Sequence, residues 1–205
     1  MITSKQLQII STISKTPFAE YTRTEIKQKA HEKSNNALNR ALHQLKKDEI
    51  INERKIGRSS LWTLNLDNNK TYAYITLCNS EKMVKIKTIL NKIKKEIKDI
   101  TPFYSLVIFG SYSLNQQTPS SDLDIAIFIE NETQRKPIEA AMENAKLKTI
   151  LEIDSHVIPR NEMIEMLTNN EENLGKQIAK KHCAIHNVHI FYDIIKEGIR
   201  HGFHL

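Results

Sequence analysis

The chain has only two cysteines, Cys78 and Cys183, far apart and without a Cys-x-x-Cys partner. That excludes a disulfide framework and a zinc-finger ligand set, and both residues read as small buried apolar side chains. Long hydrophobic runs are also missing: no stretch approaches the roughly 18 uninterrupted apolar residues a membrane span needs. The first residues, Met1-Ile2-Thr3-Ser4-Lys5, lead into an amphipathic pattern instead of a secretory apolar region, so a cytoplasmic protein with no membrane partner is expected. Hydrophobic residues make up 40% and charged ones 26%, which excludes the apolar depletion of a disordered chain. The 205 residues are too many for one minimal domain and suit two small ones, on a prior of roughly 100–200 residues per domain.

The formal net charge of +6 is unevenly distributed. Residues 1–70 hold 13 Lys+Arg against 7 Asp+Glu, residues 71–100 hold 7 against 3, and residues 101–205 hold 10 against 14. A basic front and a mildly acidic back suggest that the first part meets a polyanion while the later carboxylates serve another purpose, such as holding metal ions. A solvated lysine-rich surface would give the same balance, so charge alone leaves both readings open.

In the first third, Leu7, Ile10 and Ile13 recur at a spacing of three before Pro17, which predicts a helix. Thr22-Arg23-Thr24-Glu25 has the form of a capping box opening a second helix through about His31. Ser34 caps a third, to about Lys47, with Leu38, Ala41, Leu42 and Leu45 as its apolar stripe. Off that stripe lie Asn35, Asn36, Asn39, Arg40 and His43, side chains able to hydrogen-bond base edges in a major groove. Residues 50–56 and 61–64 read as strands around the turn Gly57-Arg58-Ser59-Ser60, where Arg54, Lys55 and Arg58 supply a basic tip for phosphate or the minor groove. Three helices followed by a basic hairpin resemble the winged helix-turn-helix family, which implies duplex DNA as a partner of a domain over residues 1–70. Packing alone, or protein binding, would use the same stripe.

Met83, Ile86, Leu90, Ile93, Ile97 and Ile100 alternate by three and four on a lysine-rich linker helix over 80–100. This stripe either packs on the following sheet or forms a homodimer seam matching a palindromic site.

The chemistry concentrates farther on. The β-rich run Pro102–Phe109 ends at Gly110-Ser111, a corner whose backbone N–H groups and hydroxyl suit phosphate oxygens. A second strand, Ser121–Ile129, carries Asp122 and Asp124 on one face, about 7 Å apart along the backbone. Two neighbouring carboxylates repel each other and lose hydration, so cations are expected to neutralise them, and magnesium is the natural hard-oxygen partner. Gly110-Ser111, ten residues, then Asp122-Leu123-Asp124 resembles the signature of the minimal nucleotidyltransferases of the polymerase-β superfamily. Leu114 and Asn115 depart from the pattern, since many relatives have Arg and Gly there; Asn tolerates the left-handed backbone that Gly supplies.

The resemblance covers roughly residues 80–202 and implies an α+β fold, with a nucleotidyltransferase domain at 80–205 behind the amino-terminal domain. It also implies a third carboxylate on a later strand. Thr149–Ile158 is that strand by pattern, with Glu152, Asp154 and His156 on one side; Asp154 matches best as metal ligand and general base, and Glu152 is the fallback. By the same resemblance Gly110, Ser111 and Ser121 bind the nucleotide, while Asp122, Asp124 and Asp154 hold two Mg2+ ions. A nucleoside monophosphate, AMP from Mg-ATP before that of another nucleoside triphosphate, would pass to an acceptor hydroxyl with release of pyrophosphate, and the antitoxin type of relative implies a protein acceptor such as a HEPN-type toxin. A regulator that senses nucleotide or partner without turnover is the competing reading. The tail predicts helices at Arg160–Leu167 and about Glu172–Lys181, then a β-rich run from Val188 entering a last helix. His182, His186 and His189 could ligate a metal only if they shared one helix, which Asn187 and that run argue against.

Overall fold

The computed structural model describes residues 2–204. The chain divides into two compact units, Met1–Cys78 and Asn79–Leu205. In the first, helix α1 (Ser4–Ile13) starts at a capping box in which Thr3 and Gln6 exchange hydrogen bonds, and strand β1 (Tyr21–Thr22) leads into helix α2 (Arg23–Lys29), opened by the Thr22/Glu25 box. Helix α3 (Asn35–Lys47) takes its cap from Ser34, whose Oγ accepts from the Ala37 N–H at 3.2 Å. Each cap satisfies backbone donors that the helix leaves without partners. Strands β2 (Ile51–Ile56) and β3 (Ser59–Leu64) turn around Gly57 at φ +57, and β1 adds to β3, giving the antiparallel order β1-β3-β2. Two residues are too few to leave an alternating pattern, so β1 has no signature in the sequence. Ile10, Ile13, Ile26, Leu38, Leu42 and Leu45 are buried together with the inward residues of the hairpin.

Helix α4 (Asn69–Lys82) follows, where no element had been predicted. Its buried positions are filled by Thr71, Tyr72, Ile75, Cys78 and Asn79, a mixture of polar and apolar groups that hides the helical period. The predicted helix over 80–100 forms as the end of α4, a 3-10 turn (Val84–Ile86) and helix α5 (Lys87–Lys98).

The second unit then runs through β4 (Tyr104–Phe109), a single turn α6 (Gly110–Ser113), β5 (Leu123–Ile129), α7 (Arg135–Lys146), β6 (Ile153–Pro159), α8 (Arg160–Thr168), α9 (Leu174–Lys180), β7 (His182–His186) and α10 (Val188–Arg200). Its four-stranded sheet has the order β6-β5-β4-β7; β5 and β6 are parallel and the other pairs antiparallel. Period-two alternation sorts the strands' side chains. Leu123, Ile125 and Ile127 join Leu106, Ile108, Ile153 and Val157 in one core, which also buries Leu90, Ile93 and Ile97 of α5 and Ile138 and Met142 of α7. The linker stripe is therefore spent inside this unit, and packing on the sheet, not a seam between chains, accounts for it. On the opposite face Phe128 meets Phe191 of α10 at 5.0 Å between ring centroids.

The result is a mixed α+β domain with helices on both sheet faces. The strand predicted over Thr149–Ile158 begins only at Ile153, and at the end of the chain the last strand is His182–His186 while the run from Val188 is helical. Asn187 enters that helix at φ +43, and Val188, Phe191, Tyr192, Ile194, Ile195 and Gly198 are buried at helical spacing, so tertiary packing overrides local β preference. Among the described residues no helix is long and apolar enough to cross a membrane.

His182 is built into this core. Its Nδ1 lies 3.1 Å from the carbonyls of Ile178 and Ala179, so it donates, and Nε2, 3.1 Å from the Tyr192 hydroxyl, accepts. Burial pushes its pKa from the ordinary 6.5 down to about 4, so the folded ring is neutral. An unfolded chain takes up a proton below about 6.5 that the folded chain refuses until about 4. This contribution to stability is complete above that window and is lost as pH falls through it, by on the order of 3 kcal/mol. Urea unfolding measured between pH 7 and 4 will show the loss, and His182→Asn will flatten it.

Candidate active site

Strand β4 is buried along its whole length and delivers the chain to Gly110 at one end of the sheet. Gly110 has φ +61, and a Cβ there would stand 1.9 Å from Oδ2 of Asp124. Both the backbone conformation and the space exclude a side chain. Beyond it, Ser113 Oγ donates to the Gly110 carbonyl at 2.8 Å and the Gln116 N–H donates to the Ser111 carbonyl at 2.9 Å, closing a tight turn. Asn115 sits in that turn at φ +58, a left-handed position for which its short amide side chain is suited.

The carboxylates gather beside this corner. Leu123 and Ile125 point into the core, which turns Asp124 to the opposite face, and Asp122 stands immediately before the strand, exposed. In the parallel pairing Asp124 lies opposite Asp154, so neighbouring strands bring the two side by side. The Asp124 carboxyl is raised above the usual carboxylate range by its partial burial first, then by the negative charges of Asp154 and Asp122. His156 opposes that shift; its Nε2 is 3.1 Å from Asp154 Oδ2, and its ring is 5.9 Å from that of Phe109. Among the described residues neither Asp122 nor Asp124 is ion-paired to lysine or arginine, and Asp154 meets only His156.

This donor set fits a hard divalent cation in its chemistry: carboxylate oxygens, mutually repelling and without a protein cation between them. No three of the described His, Cys, Asp and Glu side chains converge as a ready-made metal site. Asp154 is engaged with His156, and Asp122 and Asp154 are both exposed.

Other predicted residues lie as follows. Ser111 is half-buried at the corner, whereas Ser121 Oγ accepts from the Thr118 N–H at 2.9 Å and so braces the intervening loop. Glu152 is exposed, and its carbonyl accepts from the Leu123 N–H at 2.9 Å. His182 is buried on β7, His186 closes that strand and His189 begins α10, so the three do not share a helix. In the first unit Asn35, Asn36, Asn39, Arg40 and His43 are all exposed along α3, as are Arg54, Lys55 and Arg58 on the hairpin. Asn39 accepts from Arg23 Nη1 at 3.0 Å, and Arg54 is paired with Glu20, which neutralises part of the basic tip.

A family model described as nucleotidyltransferase domain matches residues 90–186, from within α5 to the end of β7. A protein of Methanocaldococcus jannaschii is 46% identical over 77 residues, which is 37% of this chain and 76% of that protein. A second from the same organism is 39% identical over 77 residues, 37% of this chain and 86% of its own. A third is 50% identical over 42 residues, 20% of this chain and 43% of its own. All three carry the words protein adenylyltransferase in their names. No solved structure matches.

The approach of Asp124 to Gly110 can be measured without any ligand. Gly110→Ala is expected to cost roughly 2–4 kcal/mol in urea unfolding, from positive φ plus the clash. In an Asp124→Ala background the same change will cost about 1 kcal/mol, because only the backbone strain remains. Equal costs in the two backgrounds would rule out the contact.

Proposed function

The chain belongs to the nucleotidyltransferase domain family, and on that premise we propose that it transfers AMP from ATP to a hydroxyl group of a protein, releasing pyrophosphate. The observation that carries this reading is the register of Asp124 with Asp154, with Gly110 pressed against the Asp124 carboxylate. The names of the relatives support adenylyl as the group and protein as the acceptor.

In this mechanism the Gly110 N–H and Ser111 hydroxyl bind phosphate oxygens, and Asp122, Asp124 and Asp154 hold Mg2+. Two Mg2+ ions, when bound, supply Lewis acidity at the phosphates and neutralise the carboxylates. Asp154 is the base: it takes the proton of the acceptor hydroxyl, whose oxygen forms a bond to the α-phosphorus as the bond to pyrophosphate breaks. His156, beside Asp154, orients that carboxylate. A HEPN-type toxin is the acceptor to test first. With labelled ATP, Mg2+ and acceptor, Asp122→Ala and Asp124→Ala are each expected to lower label transfer at least about 10²-fold; unchanged transfer in the double variant would remove the catalytic assignment.

The first unit reads as a winged helix that binds duplex DNA. Its order α1-β1-α2-α3-β2-β3, the pairing of β1 with β3, and the exposed amides and cations along α3 support this. A second reading, nucleotide sensing without turnover by a DNA-bound regulator, is favoured by Leu114 standing where the resemblance to minimal nucleotidyltransferases implies arginine. Affinity for duplex DNA should fall steeply as salt rises, and Lys55→Ala or Arg58→Ala should each reduce the slope of log K against log salt by about 1. Binding that is indifferent to salt would exclude a phosphate-driven interface.

A further inference from the structure

Between Gly110 and Asp122 the chain has no lysine or arginine. A nucleoside triphosphate at that corner brings several negative charges beside three aspartates, so positive charge has to come from elsewhere in the fold. The strand order shows from where. At this end of the sheet the carboxylates occupy β5 and β6, the glycine corner follows β4, and the start of β7 lies on the far side, with His182 opposite Phe109 and Cys183 opposite Ile108.

Lys82 stands on the β7 side. Its ammonium is near enough to lower both His182 and Cys183, each of which burial dominates. One helical turn earlier, Asn79 Nδ2 donates to the Ala184 carbonyl at 2.9 Å, and both Asn79 and Ala184 are buried, so the end of α4 is clamped to β7. Lys82 and Lys85 line a cavity of about 270 Å³ together with Tyr112, Asn115 and Gln117, which belong to the turn and loop after Gly110. Glu81 is the one carboxylate in that lining. Among the described residues neither lysine is in an ion pair, whereas Lys92, Lys148 and Lys180 of the same unit already have partners.

We propose that Lys82 and Lys85 bind the β- and γ-phosphates of the nucleotide, on the side of the glycine corner away from the carboxylates. The end of the sheet is then electrically polar, negative at β5 and β6 and positive beside β7. A triphosphate lies across it with its α-phosphate toward Asp122, Asp124 and Asp154. As the acceptor oxygen bonds to the α-phosphorus, the bonding pair leaves with pyrophosphate, and the added charge develops next to the two ammonium groups. The inference rests on the transferase reading, because it names residues for the same substrate.

Calorimetric titration of the full chain with ATP and with AMP, both with Mg2+, tests it. The Lys82→Gln, Lys85→Gln double variant is expected to weaken ATP about tenfold, or about 1.4 kcal/mol, and AMP less than about twofold. AMP binding reports that the variant is folded, and Lys82→Arg with Lys85→Arg should restore ATP affinity. A wild-type chain that binds ATP, with the same ATP-to-AMP ratio in the Gln double variant, overturns the lysine assignment alone. A wild-type chain that binds neither nucleotide overturns the transferase reading itself.

Discussion

The carboxylate of Asp124, held against Gly110 and between the charges of Asp122 and Asp154, is the constraint around which the second unit is organised. A carboxylate so placed loses hydration and gains repulsion, and among the described residues no lysine or arginine is ion-paired with it, His156 alone opposing the shift. Such a cost persists only where the surrounding structure enforces it. Here the enforcement is mechanical: Leu123 and Ile125 are locked in the core on either side of Asp124, and the parallel pairing with β6 leaves Asp154 no other neighbour in register.

The sheet supports this by being covered on both faces. With β4 buried throughout and β5 buried beyond Asp124, the strands cannot shift without exposing apolar surface, so the corner at Gly110 is a rigid exit from a rigid strand. In the proposed arrangement of Lys82 and Lys85, the same end of the sheet would carry groups of opposite sign on its two flanks. Charges so arranged would orient a polyanion along one direction before any bond is made. His182 shows the contrast with a purely structural polar group: every nitrogen has a partner, burial keeps it neutral, and nothing about it invites a ligand.

The first unit is stabilised differently, by three capped helices and a small sheet around an apolar centre, and its polar face along α3 is open. Two of its cations and amides are partly occupied by internal contacts, Arg54 with Glu20 and Asn39 with Arg23. Those contacts are exposed, and each contributes little to stability.

Local periodicity determined a good deal from the amino-acid order alone. The helix caps at Thr22 and Ser34, the α3 stripe, the α5 stripe, and the alternation that sets Asp124 apart from Leu123 and Ile125 all record what each residue's near neighbours bury, and that information travels with the sequence. So did the spacing from Gly110 to Asp122 and Asp124. Tertiary structure alone decided the rest. It paired Asp154 with Asp124, drew His156 onto Asp154, made a helix of the β-rich run after Asn187, and tied Asn79 to Ala184 of β7. Those outcomes depend on which distant segments lie side by side, and strand register and helix docking are set by the burial of the whole domain, a quantity no window of neighbouring residues contains.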